Sequence, residues 1–320
     1  MKKGLVIILI GVGLTLLGGI IFAISMTIHG WDFNAVSTTE VVYETYESQS
    51  GEITGIDIDF STADIVYQEY DGDKITVKYP IYKNKKGDKR AEVEITEDRN
   101  GILHINESTT PLSLWISIYE PKATVTVNVP KGKLEEISLH TNTGDVILGS
   151  EQTEINANFV HIYTDTGDIN IKSKVNCSGR VVLYTDTGDL KVRANLIATT
   201  LTVESDTGDI TFYKEIKLLN GLNVSTDTGD ITINKVVASA VEIESSTGDI
   251  NGINGGIDAN EIEIETSTGD VKISLSGKKE DYSITTQVGT GKSNVSSYQG
   301  GNKRVEISSS TGNIEVRFIG

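Results

Sequence analysis

The sequence predicts an all-β protein: a parallel β-helix, or β-solenoid, with ~21-residue coils, preceded by one N-terminal transmembrane helix. A short phrase, Thr-Gly-Asp, recurs at Gly144, Gly167, Gly188, Gly208, Gly229, Gly248 and Gly269, then decays to Thr-Gly-Lys at Gly291 and Thr-Gly-Asn at Gly312. Successive glycines lie 23, 21, 20, 21, 19, 21, 22 and 21 residues apart, a period at which each repeat is one coil of a stack. Apolar residues at a spacing of two flank most of the copies on both sides. Far upstream, Gly4 to Ile28 runs without a charge.

Alignment on the glycine justifies each element of the coil. Seven and five residues before it stand pairs such as Val160 and Ile162, Val181 and Leu183, and Val241 and Ile243. Two and four residues after it stand Ile169 and Ile171, Leu190 and Val192, and Ile231 and Ile233. A period of two on each side means two strands with one face turned inward, joined at the glycine. Glycine accepts a positive φ without steric cost, and neighbouring Asp and Thr side chains bond readily to nearby amides. A looser third apolar site, Ile155, Val175, Ile197, Leu218, Val237 and Ile257, predicts a third inward-facing side.

Taken in order, residues 1–30 are expected to be the transmembrane anchor. As a helix, the uncharged run from Gly4 to Ile28 is long enough to cross a bilayer core of ~30 Å. It exceeds a signal peptide's apolar core and lacks a clean cleavage site, which favours an uncleaved span. Lys2 and Lys3 precede it, so the N-terminus is expected in the cytoplasm and the rest outside the cell membrane. Trp31 and Phe33 sit where interfacial aromatics are expected, or pack on the folded region. Residues 31–50 read as a tether. Residues 51–134 read as an irregular β region capping the solenoid, with Ala63 standing in the glycine's place of a first, degenerate coil. Residues 135–320 are the solenoid proper.

Two excursions break the early strands. Residues 82–90 are basic, with Lys83, Lys85, Lys86, Lys89 and Arg90; a solvated hairpin tip and a contact for phosphate-rich polymer or lipid headgroups are the two readings. Residues 107–122 hold Pro111, Trp115, Tyr119 and Pro121, suited to capping the core's open end or to stacking on a sugar. Past Gly277 the pattern weakens, and nothing in the sequence identifies what covers the last edge, although an open strand invites end-to-end pairing.

The repeat's chemistry is aspartate. Asp145, Asp168, Asp189, Asp209, Asp230, Asp249 and Asp270 each follow a glycine, and Asp165, Asp186, Asp206 and Asp227 precede four of them. Stacked at ~4.8 Å, neighbouring carboxylates in water repel by ~0.9 kcal/mol before screening. Two roles are open to the first seven: capping the amides of their own turns, or binding Ca²⁺ as a ladder. On the outward face, Tyr163 and Tyr184 flanked by His140 and His161 give way to Glu204, Glu242, Glu244, Glu263 and Glu265, either a binding strip or a solvated sheet face. The four histidines, with His29 and His104, form no evident metal set. The glycines are not P-loops, lacking Gly-Lys-Ser/Thr and a following helix.

Cys177 is the only cysteine, so no disulfide forms within the chain, and a buried free thiol is expected. The formal net charge is −17, and −19 without Lys2 and Lys3. Nucleic acid is therefore a poor partner, while cationic peptides and divalent cations are better ones.

A Lys-bearing N-terminus, one span, the strand Val125 to Val129 running into Pro130 and Lys131, and then serial Thr-Gly-Asp turns resemble the bacterial β-strand-repeat family called "putative adhesin", with its membrane-anchored, LiaG-like members of Gram-positive envelope-stress operons. The resemblance implies the architecture but names no active residues; Lys292 and Asn313 depart from it, losing the acid. The expected function is a membrane-anchored extracytoplasmic binding or scaffold module at the cell envelope, without catalysis. Its expected partners are the membrane through residues 4–28, cell-wall polymers, envelope proteins or cationic peptides. Two alternatives are a cell-envelope-stress component that captures cationic antimicrobial peptides and a β-helix enzyme acting on polysaccharide. The latter wants acids beside an Arg or Lys, and neither Arg180 nor Arg193 falls beside an aspartate at a shared repeat position.

Overall fold

A computed structural model of the chain describes residues 3–28, 30–31, 39–48, 53–84, 86–89, 91–109, 122–132 and 134–320. After helix α1 (Lys3–Ile28) come β1 (Thr39–Glu47), β2 (Gly55–Phe60), β3 (Ala63–Tyr70), β4 (Thr76–Asn84), β5 (Ala91–Glu97), β6 (Ile102–Thr109), β7 (Ala123–Pro130), β8 (Glu136–Thr143) and β9 (Val146–Leu148). The regular coils supply β10 (Glu154–Thr166), β11 (Ile169–Ile171), β12 (Lys174–Thr187), β13 (Leu190–Val192), β14 (Leu196–Thr207), β15 (Ile210–Thr228), β16 (Ile231–Val237), β17 (Ala240–Thr247), β18 (Ile250–Asp258), β19 (Glu261–Thr268) and β20 (Val271–Ser276). The chain ends with β21 (Tyr282–Thr290), β22 (Lys303–Thr311) and β23 (Ile314–Ile319).

The chain divides into two compact units. One comprises Met1–Tyr43, Pro80–Glu92 and Ser108–Ala123. In it α1 has the length and composition to cross a membrane, with Leu14, Leu16, Leu17, Ile20, Ile21 and Ile24 all more than half exposed. Two of its hydroxyls turn back on the helix, Thr15 onto the Gly11 carbonyl and Thr27 onto that of Ala23. The basic excursion is a hairpin tip: Lys83 bridges Lys89 antiparallel, and the Asn84 side chain accepts the amides of Lys86 and Asp88. Lys85, Arg90, His29, Phe33 and the excursion's Pro111, Trp115, Tyr119 and Pro121 lie outside the described residues. Trp31 is exposed. The expected tether is not wholly irregular, because β1 lies within it.

The second unit, Glu44–Tyr79, Val93–Glu107 and Thr124–Gly320, is a β-solenoid of about 8 turns. Its coils have three sides. Residues before the glycine pair in parallel through β8, β10, β12, β14, β15, β17 and β19, and residues after it through β9, β11, β13, β15, β16, β18 and β20. The predicted inward pairs are buried; Val160, Ile162, Ile169, Leu190 and Val224, for example, have no exposed surface. Aliphatic columns of this kind, each buried methylene contributing ~0.8 kcal/mol, hold together a chain whose single cysteine rules out an internal disulfide. Cys177 is buried among Ala157 and Ala198 of adjacent coils, and burial pushes its thiol pKa up.

The third side corrects the sequence-based register. Its inward column is Ile155, Val175, Leu196, Ile216, Val236 and Ile257; Ile197 is 42% exposed and Val237 half-buried, while Leu218 belongs one step along, paired to Ala198. The corners at both ends of this side vary in length, with register shifts at Asn176/Arg180 and Ala198/Thr200 after it and at Phe212/Glu215 and Thr232/Lys235 before it, so a fixed distance from the glycine slides by one residue and inverts the face.

The degenerate first coil is present: β2 pairs β8, β3 pairs β9, and the Ala63 carbonyl takes the glycine's place in the stack. Order in space departs from order in sequence at both ends. β2 lies between β6 and β8. At the far end β22 pairs with β19 on one side and β21 on the other, so the last coil is inserted before the penultimate one. The closing edge is then covered by residues 293–301. Ile284 and Tyr298 exchange backbone hydrogen bonds, and the Asn294 carboxamide pairs with both the amide and the carbonyl of Val316. A side-chain amide there imitates a strand and stops the ladder.

Candidate functional site

Every Thr-Gly-Asp turn is built by its neighbour in the stack. At Gly188, Gly208 and Gly229, φ is 156°, 152° and 156°, and a Cβ would stand 2.0 Å from the preceding coil's glycine carbonyl in each case. No other residue fits there. A buried hydroxyl three residues before the glycine donates to that same carbonyl: Thr164 to Gly144, Thr185 to Gly167, Ser205 to Gly188 and Thr226 to Gly208, at 3.0 to 3.2 Å. This column of Thr and Ser was absent from the sequence reading, although its position is hydroxyl-bearing in copy after copy.

The aspartates cap the next coil and not their own turns. Asp145 Oδ1 accepts the Asp168 amide at 2.9 Å, Asp168 that of Asp189, Asp189 that of Asp209, Asp209 that of Asp230, Asp230 that of Asp249 and Asp249 that of Asp270. Asp64, missed in the sequence because its turn carries Ala63, begins the series by capping Asp145. Asp270 caps Asn313, whose own Oδ1 caps Lys292 in the outermost coil. The departures at Asn313 and Lys292 therefore follow from position: an amide oxygen suffices at the penultimate step, and the last step has no amide left to accept.

With one oxygen of each carboxylate given to an amide, the other faces outward. Lys191 bridges Asp168 and Asp189, and Lys272 pairs with Asp270. Burial pushes the Asp189 carboxyl up, but Lys191 and the Asp209 amide hold it below its ordinary value. Among the described residues, no three His, Cys, Asp or Glu side chains gather in a group that could hold a metal ion.

On the outward face before the turn, the register stacks two columns. One runs Asn106, Asp59, His140, Tyr163, Tyr184, Glu204, Ser225, Glu244 and Glu265; the other His104, Asp57, Ser138, His161, Val182, Thr202, Asn223, Glu242, Glu263 and Glu306. The predicted Tyr/His strip is thus contiguous. Tyr163 and Tyr184 stack at 5.1 Å, and His140 meets Tyr163 edge-on at 4.7 Å. The Tyr163 hydroxyl donates to Asp165 at 2.6 Å, and the Asp186 carboxylate holds the Tyr184 phenol at about 12. His104 Nδ1 lies 3.0 Å from Asp57 and His140 Nδ1 3.1 Å from Asp59. The bond to Asp59 raises the His140 pKa, whereas burial lowers that of His161.

Beyond the tyrosines the face becomes a trough. Thr200, Gly221 and Ala240 leave a depression of about 450 Å³ bordered by Glu242, Glu261, Glu263 and Glu306. Among the described residues that line it, the one cation is Arg304, 3.0 Å from Glu261. The neighbouring recess, about 200 Å³, shares Glu263 and Glu306 and adds Glu265. Carboxylates repeat here on adjacent strands at ~4.8 Å. Arg180 and Arg193 stand elsewhere, over the rings of Phe159 and Tyr213.

No curated protein matches the sequence. Solved structures similar to the chain include a "putative adhesin" of Bacteroides fragilis (14% identity, 87% of this chain and 97% of that one covered, TM-score 0.44). A "putative adhesin" of Parabacteroides merdae is similar at 15% identity, with 87% and 96% covered and a TM-score of 0.43. A "putative lipid binding protein" of Parabacteroides distasonis has 15% identity, 85% and 96% covered, and a TM-score of 0.35. The model of one protein family matches residues 53–317, from the degenerate first coil through the inserted last one, and by that match the chain belongs to the Toastrack DUF4097 family.

Proposed function

We propose that the chain is a membrane-anchored binding module of the bacterial cell envelope, its repeat unit on the outer side, and that the acidic trough is where it binds. The observation that carries this is the trough itself: an open depression with Glu242, Glu261, Glu263 and Glu306 around it and one arginine, on a sheet face held rigid by parallel pairing. Supporting the anchor, α1 exposes apolar side chains on all of its faces, and Lys2 and Lys3 precede it. The work of such a face is to hold a ligand, with no bond made or broken, and the ligand is cationic. A lysine-rich peptide lying along the carboxylates of adjacent coils satisfies both shape and charge.

The test uses the full chain in lipid nanodiscs and a lysine-rich linear peptide, measured by calorimetry. Binding is expected at low salt, to weaken sharply at ~0.5 M, where the screening length falls to a few ångströms. It is expected to drop at least tenfold in a variant carrying Glu242→Gln, Glu263→Gln and Glu306→Gln. No binding at low salt, or full binding by the triple variant, removes the proposal.

A further inference from the structure

Buried at the N-terminal end of the solenoid core is a carboxyl that neither the turns nor the trough uses. Tyr67 and Glu69 alternate inward on β3, just past the point where Tyr67 receives the Gly149 amide. Tyr67 is fully buried and Glu69 only 6% exposed. The Tyr67 hydroxyl and Glu69 Oε1 are both shut off from solvent without a hydrogen-bond partner among the described residues. The other oxygen, Oε2, receives one long bond of 3.4 Å, from the Gly132 amide in the turn between β7 and β8.

Burial of a carboxylate with so few donors is costly, and a protonated acid avoids the cost. The groups facing Glu69 do not rescue the charge. Among the described residues the cation acting on it is Lys131, whose ammonium lies 2.8 Å from Asp71 instead. Glu154, at the start of β10, opposes a second negative charge, and the Tyr67 phenol is neutral and itself driven up by burial and by Glu69. Burial accordingly pushes the Glu69 pKa up to about 7, against the pull of the Gly132 amide and Lys131.

We propose that Glu69 is a proton-operated latch between β3 and the turn at Lys131 and Gly132: neutral, it stays buried and the turn is closed; ionised, it leaves the core and the turn opens. The sign follows from the two states. An exposed Glu69 loses its proton near pH 4.5 and a buried one near 7, so the closed form binds more protons between those values. Opening therefore becomes more frequent as pH rises through that window and levels off above it. The turn joins the degenerate coil to the regular ones, so an envelope that acidifies would stiffen this joint.

The test is hydrogen exchange by mass spectrometry on the full chain in nanodiscs, at pH 5.0 to 8.5, with rates corrected for the intrinsic dependence on pH. Peptides covering residues 67–70 and 131–136 are expected to open about tenfold or more often at pH 7.5 than at pH 5, while those of β12 and β14 hold steady. Glu69→Gln abolishes the slope, and Glu154→Gln, which takes away the opposing charge, reduces it. A flat profile in the wild type overturns the latch, as does a wild-type slope in Glu69→Gln. Should Glu69→Gln fail to fold, an unchanged slope in Glu154→Gln overturns it equally.

Discussion

Alanine placed at two glycines of the same solenoid should have opposite consequences. At Gly208, φ is 152° and a Cβ would lie 2.0 Å from the Gly188 carbonyl oxygen, more than 1 Å inside contact. The coils must part there. Their parting strains three bonds that cross this step: the Gly188 amide to Thr207 at 2.9 Å, the Ser205 hydroxyl to Gly188 at 3.1 Å and the Asp209 amide to Asp189 at 3.0 Å. At ~1 kcal/mol each, with ~1–2 kcal/mol of backbone strain, Gly208→Ala should cost about 4 kcal/mol. At Gly252 the added Cβ meets only the Ile273 and Ile233 side chains, at 3.5 to 4.0 Å, and fills a position that is apolar in the coils on either side. Gly252→Ala should stabilise by about 0.5–1 kcal/mol, mostly by restricting the unfolded chain. Thermal melts of the full chain, with hydrogen exchange over β14 to β19 to locate the damage, read both. At ~2–4 °C per kcal/mol, the variants should melt on opposite sides of the wild type and roughly 10 °C or more apart. Gly208→Ala within 1 kcal/mol of the wild type would refute the account of the turns.

Other outcomes follow from the same contacts. Asp230→Asn keeps an oxygen for the Asp249 amide, as Asn313 does for Lys292, and should melt within about 0.5 kcal/mol of the wild type, whereas Asp230→Ala should lose ~1–2 kcal/mol. The two aspartate roles separate by calorimetric titration with Ca²⁺: heat that disappears in a chain with Asp209→Asn, Asp230→Asn and Asp249→Asn would make the outward oxygens a cation surface, and absence of heat would leave them caps. Nuclear magnetic resonance of the imidazoles should find His140 titrating above His161, with Asp59→Asn bringing His140 down. Because the folded pKa of His140 is raised, its stabilisation is complete below its unfolded value of 6.5 and is lost as pH rises through the higher folded one. The melting temperature should fall across that interval in the wild type and less in His140→Gln.

Much of this was legible because strand periodicity and a steric turn are local. The inward pairs before and after each glycine, the glycine itself and the Tyr163 and Tyr184 stack all depend on residues within one repeat or at equal places in two. What was illegible depends on the neighbouring coil or on variable corners. The inward column of the third side slid by one residue at Ile197, where the corner after it changes length, and at Val237, where the corner before it does. The acceptor role of each aspartate toward the next coil looks in sequence like self-capping, since every turn carries the same residues. Asp64, beside Ala63, and the trough, which needs Thr200, Gly221 and Ala240 to be adjacent, become visible only when the coils are stacked in register.

The insertion of β22 between β19 and β21 makes the docking of β21 wait for a strand made after it. When β21 has been made, the strand it will lie against does not yet exist, and the exposed edge of β19 is reserved for residues some forty positions downstream. A chain stopped short of β22 loses more than one coil. Its penultimate strand has nothing to dock on, the Asn294 side chain has no Val316 to bracket, and β19 is left open to another chain. The covered edge is thus a checkpoint on synthesis: a polypeptide that has not yet delivered β22 and β23 cannot close this end of the stack.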